Sequence, residues 1–252
     1  MEAKDFVRLA GANGVDKLFL ERSNWLNFAF DEQVVQVFPD MISRSVPGYW
    51  EVNQKTAVWA KTFYQNNTVM YDLGASLGAA SWGIAQLCQE QNPKIIAVEQ
   101  SSAMVAQFAK NLAVCDFSHN IEIVEGDICT HELQPTSVVV CNYCLQFISP
   151  TQRKDVLQKI YDALVPNGVL LLAEKIAMES AEENEAIREL HHQWKLQQGY
   201  TLSEIERKSR SIANVMPVDT LSTHVQRLKS IGFQSVVQWS QHFNFVAMVV
   251  QK

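Results

Sequence analysis

The chain of 252 residues lacks any apolar run approaching the roughly 18 residues of a membrane-spanning helix, so no membrane partner is expected. It also lacks a basic excess. With 21 Lys and Arg against 27 Asp and Glu, its net charge of −6 disfavours direct nucleic-acid binding and points to a small-molecule substrate. The opening MEAKDFVRLAGANG has no basic flank leading into an apolar core, which argues against a signal peptide. Five cysteines show no disulfide-like spacing, as expected of a reducing, cytoplasmic compartment. Cys141 and Cys144 form a C-x-x-C without the second cysteine or histidine pair that zinc requires, so packing is their expected role and no metal is expected. His191 and His192 are adjacent on a helical stretch and face different ways, which again disfavours a shared metal. Two nucleotide signatures are missing as well: there is no G-x-G-x-x-G and no Walker lysine, so a bound pyrophosphate or triphosphate is disfavoured.

What is present is a soluble, core-forming composition, 47% hydrophobic and 19% charged, with no internal repeat or low-complexity linker. One domain over 1–252 follows. Its organising stretch is Thr68 to Gly78, TVMYDLGASLG: an apolar strand, Asp72 at its end, then Gly74 and Gly78 opening a helix. Glycine permits close backbone approach, and the start of a helix offers free N–H groups to a ligand. Further apolar strands follow at Lys94–Val98, ending in Glu99, and at Ile121–Val124, ending in Glu125-Gly126-Asp127. Strands that each end in a carboxylate line one edge of a parallel sheet, where such sheets bind ligands, and Glu99 has the spacing for ribose hydroxyls. A nucleoside without phosphates is the expected ligand.

Around this centre, apolar residues from Phe28 to Phe38 have helical spacing, and Pro39, Pro47 and Gly48 are expected to force turns. Residues 1–50 therefore read as an N-terminal cap, or a lid carrying Arg44 and Tyr49 over the ligand. Helices are expected at Glu51–Phe63, Ser81–Gln89, Ala103–Ala113 behind Ser101-Ser102, and Thr151–Leu164, the last ended by Pro166-Asn167-Gly168. Strands four and five fall at Ser137–Asn142 and Val169–Ala173. Residues 178–214 read as a charged helical insertion. A helix from Asp219 to Lys229, ended by Gly232, precedes a hairpin-like pair, Phe233–Trp239 and Phe243–Val250.

This arrangement resembles the class I S-adenosylmethionine (SAM) dependent methyltransferase fold. The resemblance implies a Rossmann-like α/β domain whose seven-stranded sheet is mostly parallel with an antiparallel last strand. It also implies SAM as cofactor, with Asp72 and Gly74-Ala75-Ser76 at the methionine part, Glu99 at the ribose and Asp127-Ile128 at the adenine. A narrower resemblance rests on Phe30-Asp31-Glu32, Val37 to Ile42, Arg44-Ser45-Val46-Pro47-Gly48-Tyr49, Tyr71 to Gly74, Ser76 to Ala80, Glu125 to Ile128, Asn142 with Leu145-Gln146-Phe147, and Asn214-Val215-Met216. From about Phe30 onward the chain is similar to the bacterial carboxy-S-adenosyl-L-methionine synthase family. That family joins SAM to the carbon dioxide released when prephenate becomes phenylpyruvate, and a partner enzyme uses the product on tRNA wobble uridine. A homodimer is the base-rate expectation.

By this resemblance Tyr49, Gly74, Ser76, Asp127, Ile128 and Asn142 are ligand contacts. Glu99-Gln100 stand where Asp-Asn is usual, and Ala75 replaces a cysteine. The family places an arginine over the new carboxylate. Counting back from Asn214-Val215-Met216, that position is Ser209, with Arg210 one residue late and turned by about 100° on a helix. Arg210, beside Tyr49, is the catalytic candidate if the backbone compensates. If it does not, two alternatives gain: an ordinary small-molecule methyltransferase, or attack by the SAM amine on its own γ-carbon to give azetidine-2-carboxylate and methylthioadenosine. A SAM binder without chemistry is the remaining alternative.

Overall fold

A computed structural model of the chain describes residues 15–21, 28–114 and 118–252. The segment read for a leader, part of the expected cap and Cys115 lie outside them.

Seven strands form one sheet: β1 (Val69–Leu73), β2 (Lys94–Glu99), β3 (Ile121–Glu125), β4 (Thr136–Asn142), β5 (Leu164–Lys175), β6 (Ser235–His242) and β7 (Phe245–Gln251). Their order is β3-β2-β1-β4-β5-β7-β6, and β7 alone runs antiparallel to the other six. The expected sheet is thus the observed one. Side chains alternate between two cores, as the two-residue period of a strand requires. Met70, Ala97, Val138, Val140, Leu171 and Val249 face one, while Tyr71, Val98, Val139, Leu170, Leu172 and Met248 face the other.

The first core is covered by α1 (Glu32–Ser45), α2 (Tyr49–Phe63), α3 (Ala79–Leu87) and α4 (Ser102–Leu112). The second is covered by α5 (Arg153–Ala163) and, further along, α8 (Leu221–Ile231). Between β5 and α8 lie α6 (Ala181–Gln197) and α7 (Leu202–Ala213), each opened by a capping box, Ser180 with Glu183 and Thr201 with Glu204. No described helix is long and apolar enough to cross a membrane.

Three local expectations are corrected. Pro39 does not end a helix but sits inside α1, which Asp31 caps by accepting from the Gln33 and Val34 amides. Proline in a helix interior costs about 3 kcal/mol. Burial of Val34, Val35, Val37, Phe38 and Met41 on the same helix outweighs that cost. Pro166-Asn167-Gly168 does not separate helix from strand, because β5 already starts at Leu164 and absorbs the tripeptide where its register with β4 shifts. Asp219 does not start α8: Thr220 is the cap, and Asp219 is ion-paired to both Arg153 and Arg227 at 2.7 Å. Arg153, only 1% exposed, also donates to the Ile148, Gln146 and Pro217 carbonyls, fixing the loop after β4.

Gly78 shows how tightly the centre is built. It has φ +86°, and an added Cβ would lie 2.1 Å from the fully buried Phe108 ring. Gly78→Ala is expected to lower unfolding free energy by about 3 kcal/mol, from left-handed strain plus overpacking. A denaturant titration measures this, and an unchanged midpoint would mean that Phe108 swings aside without cost.

Candidate functional site

The strand order reverses beside β1, between β2 and β4, and at such a reversal the flanking helices leave a crevice beyond the carboxyl ends of the strands. Here the crevice deepens into a cavity of about 570 Å³. Gly74, Ala75, Ser76, Asp72, Glu99, Gln100, Ile128, Asn142 and Tyr49 all line it. Nine of the expected ligand residues therefore meet on one surface.

The loop after β1 is folded by its own hydrogen bonds. Gly74 and Ala75 amides donate to the Val98 carbonyl at 2.8 and 3.1 Å, and Gly74 packs so close to Cys144 that a Cβ would fall 2.2 Å from its Sγ. Ser76, at φ +52°, donates its amide to Glu99 Oε2 at 2.8 Å, while the Ser101 amide donates to Oε1 at 2.8 Å. Burial raises the Glu99 pKa, and these backbone donors oppose the rise. Each carboxylate oxygen still has a second lone pair for a ligand hydroxyl. Asp72 is almost fully buried and accepts from the Ser81 hydroxyl and amide at 2.6 and 3.0 Å; burial pushes its pKa up to about 6. Asn142 donates weakly to Thr56 and Asn53, and burial raises the Tyr49 phenol well above its ordinary value.

Some expected residues are elsewhere. Asp127 is not on the cavity wall; its Oδ1 accepts from the Cys129 amide within its own turn. Glu125 bonds to the Ser102 hydroxyl at the exposed end of β3. Arg44, read as a lid residue, is a clasp instead: it pairs with Asp40, donates to the Asp16 carbonyl at 2.9 Å and lies 4.1 Å over the Tyr200 ring. Arg210 is exposed, off the wall, and donates only to the Glu206 carbonyl of its own helix, whereas Ser209 lines the cavity. No backbone irregularity rotates Arg210 inward, because α7 runs unbroken through both residues.

The wall has further members, of which the three lysines carry no signal in the sequence. Cys144 lies on the wall as well as in the packing, and Tyr143 is held at φ +56°, a strained conformation of the kind that collects at functional sites. Lys175, Lys195, Lys208 and His191 complete the wall. Lys208 donates to Ser45 Oγ at 2.8 Å, and His191 Nε2 lies 2.9 Å from the Ser45 carbonyl. Burial lowers the Lys195 pKa to about 7, helped by the charges of Lys208 and Lys175, and lowers that of Lys208 to about 8. His191 is held neutral by burial and by Lys195 and Lys175.

The wall suits a nucleoside with an amino-acid tail, since Glu99 can accept from a ribose diol, buried Ile128 offers an apolar face to a purine, and the glycine loop brings backbone close. This is the site of a class I SAM-dependent methyltransferase fold, and a methyltransferase-domain family model matches residues 70–168. Solved structures agree on the fold. Human N-acetylserotonin methyltransferase in complex with SAM aligns with 99% of this chain and 65% of its own at TM-score 0.58 and 17% identity. An O-methyltransferase family protein from Burkholderia thailandensis aligns with 99% and 70% at TM-score 0.61 and 13% identity. Curated relatives are nearer in sequence. The carboxy-S-adenosyl-L-methionine synthase of Ectopseudomonas mendocina is 44% identical over 227 residues, 88% of this chain and 92% of that one. The protein of the same name from Pseudoalteromonas atlantica is 40% identical over 237 residues, 94% and 98%. The chain belongs to the carboxy-S-adenosyl-L-methionine synthase family of SAM-dependent enzymes.

The lysine shifts carry a stability consequence. Between about pH 7 and 10.5 the unfolded chain holds a proton on Lys195 that the native chain does not, so this residue's contribution is present at high pH and lost as pH falls through 7. Thermal unfolding from pH 7 to 8.5 is expected to raise the wild-type midpoint relative to Lys195→Met. Parallel curves for the two proteins would show that Lys195 is fully hydrated.

Proposed function

We propose that the chain is a carboxy-SAM synthase, converting SAM and prephenate into carboxy-SAM, phenylpyruvate and water. The observation that carries the reading is a single cavity in which the glycine loop, Glu99 and Ile128 share walls with Lys175, Lys195 and Lys208. The family membership supports it. Bound SAM supplies an electrophilic, acidified methyl group on a sulfonium. Gly74, Ala75 and Ser76 would hold its amino-acid part beside Asp72, Glu99 and Gln100 its ribose, Ile128 its adenine with Asp127 shaping the turn behind it, and Tyr49 and Asn142 the region of the sulfonium. The apolar walls around Phe30, Met41 and Phe147 would exclude water from the reacting carbon, and the cationic walls would receive the second substrate. The same reading places the protein in the cytoplasm as a homodimer, with residues 1–50 as a cap, residues 178–214 as a helical insertion, and a partner enzyme that spends the product on tRNA.

One observation favours a second reading. With Ser209 on the wall and Arg210 outside, no guanidinium of the described residues reaches the cavity, which is compatible with ring closure at the SAM γ-carbon or with methyl transfer to a small acceptor.

Mass spectrometry of the purified protein with SAM, with and without prephenate, decides between them. A prephenate-dependent carboxylated SAM is expected. Methylthioadenosine with a cyclic amino acid would instead assign the γ-carbon chemistry, and intact SAM would leave methyl transfer or simple binding. Because Arg210 is exposed and bonded only within α7, Arg210→Ala is expected to retain turnover within about twofold. Abolished carboxy-SAM formation would return Arg210 to the site.

A further inference from the structure

The cavity walls carry both signs of charge, but the two signs are treated differently. Its acidic residues are Asp31, Asp72 and Glu99, and each already accepts two hydrogen bonds from nearby amides or a hydroxyl. Its lysines are held differently. Among the described residues no ion pair involves Lys175, Lys195 or Lys208. The hydrogen-bond partner of Lys208 is the neutral Ser45 hydroxyl, and Lys175 has only the Phe245 ring, 5.7 Å away.

These ammonium groups form one cluster. Ser45 joins Lys208 to His191; the His191 ring lies 5.3 Å from Phe245; Phe245 lies under Lys175. Lys195, one turn beyond His191 on α6, is repelled by both Lys175 and Lys208. The elements that meet here, α1, β5, α6, α7 and β7, bring three cations and a neutral imidazole to the wall, while the nearest carboxylates, Asp16 and Asp40 by Lys208, stand off the wall and bind Tyr200 and Arg44. Half-buried like charges without a counter-charge are costly, and an anion removes the cost.

We propose that Lys175, Lys195 and Lys208 form a subsite for two carboxylates of the second substrate and make the chain selective for dicarboxylates. The inference rests on the reading that this cavity takes that substrate. A monocarboxylate leaves two of the three ammonium groups uncompensated, whereas a dicarboxylate leaves one, with Ser45 Oγ still bonded to Lys208. Where an arginine at position 209 would hold one carboxylate by a bidentate pair, three separate ammonium groups can hold two. The subsite also takes up protons. The charged groups facing Lys195 are Lys175, Lys208 and, on its own helix, His191 and His192; those facing Lys208 include Asp16, Asp40 and Arg44. Since Lys195 and Lys208 are partly neutral above pH 7 and 8, an anion must recharge them, and dicarboxylate affinity falls as pH rises from 7 to 9.

The test is calorimetry on the SAM-loaded protein, with phenylsuccinate as dicarboxylate probe and phenylacetate as monocarboxylate control, beside KM for prephenate. Wild type is expected to bind phenylsuccinate at least about tenfold more tightly than phenylacetate, with proton uptake at pH 8. Lys175→Met, Lys195→Met and Lys208→Met should each lose about tenfold in that affinity and raise KM with little change in kcat, while Lys→Arg variants keep most of both. Equal binding of the two probes, or Met variants within twofold of wild type, overturns the subsite. Folding of each variant is checked by its SAM affinity. Failure of the underlying reading looks different: wild type then yields no carboxy-SAM, while lysine-dependent phenylsuccinate binding still marks a dicarboxylate site.

Discussion

The constraint on which the molecule depends is the reversal of strand order beside β1. Crossovers from β1 to β2 and from β4 to β5 place α3 and α5 on opposite faces of the sheet, so no helix covers the carboxyl ends between them. The crevice is unavoidable once the order is set. Glycine at 74 then lets the loop after β1 press against Cys144 of the neighbouring strand's loop. Glu99 ties that loop to the start of α4 through the Ser76 and Ser101 amides. The floor of the site is thus held by backbone hydrogen bonds and few charged contacts.

The roof is assembled differently. The C-terminal end of α1 meets the α6–α7 region through Ser45, Arg44 and Tyr200, where a buried histidine, a lysine and a clasping arginine converge on a few residues. Asp40 and Asp16 satisfy Arg44 and hold it out of the cavity. Among the described residues, the lysines beyond it form no ion pair. Charge on the floor is spent on architecture, and charge on the roof is left available for a ligand.

How legible this was in the sequence follows from the period and range of each signal. The strands and the glycine turn were readable because apolar runs bounded by glycine and acid are local patterns, and the Glu99 position follows from strand spacing. Helix limits near Pro39 and Pro166 were misplaced because burial of a whole helix face and pairing with β4 override local breaking tendencies. Arg44 and Arg210 looked functional by type, yet one finds Asp40 four residues away and the other faces outward on an unbroken helix. Lys195 and Lys208 went unnoticed because they sit in a polar, charged stretch that reads as solvated surface. Only the fold of α6 and α7 over α1 brings them to Lys175, and no spacing along the chain encodes that approach.

The last strand in sequence is not at the edge of the sheet. β7 lies between β5 and β6, pairing with both along its length, and Phe245 at its start stands in the cavity wall between His191 and Lys175. During folding, β5 must therefore keep an open, apolar edge until the most distant segment arrives to fill it, and β6 has no sheet partner before then. Closure is a late, long-range event with the slow kinetics such pairings impose. The floor of the cavity, made from residues of the first 144 positions, is topologically complete well before its cationic wall. A partly folded chain would hold the nucleoside half of its site before it could select the second ligand.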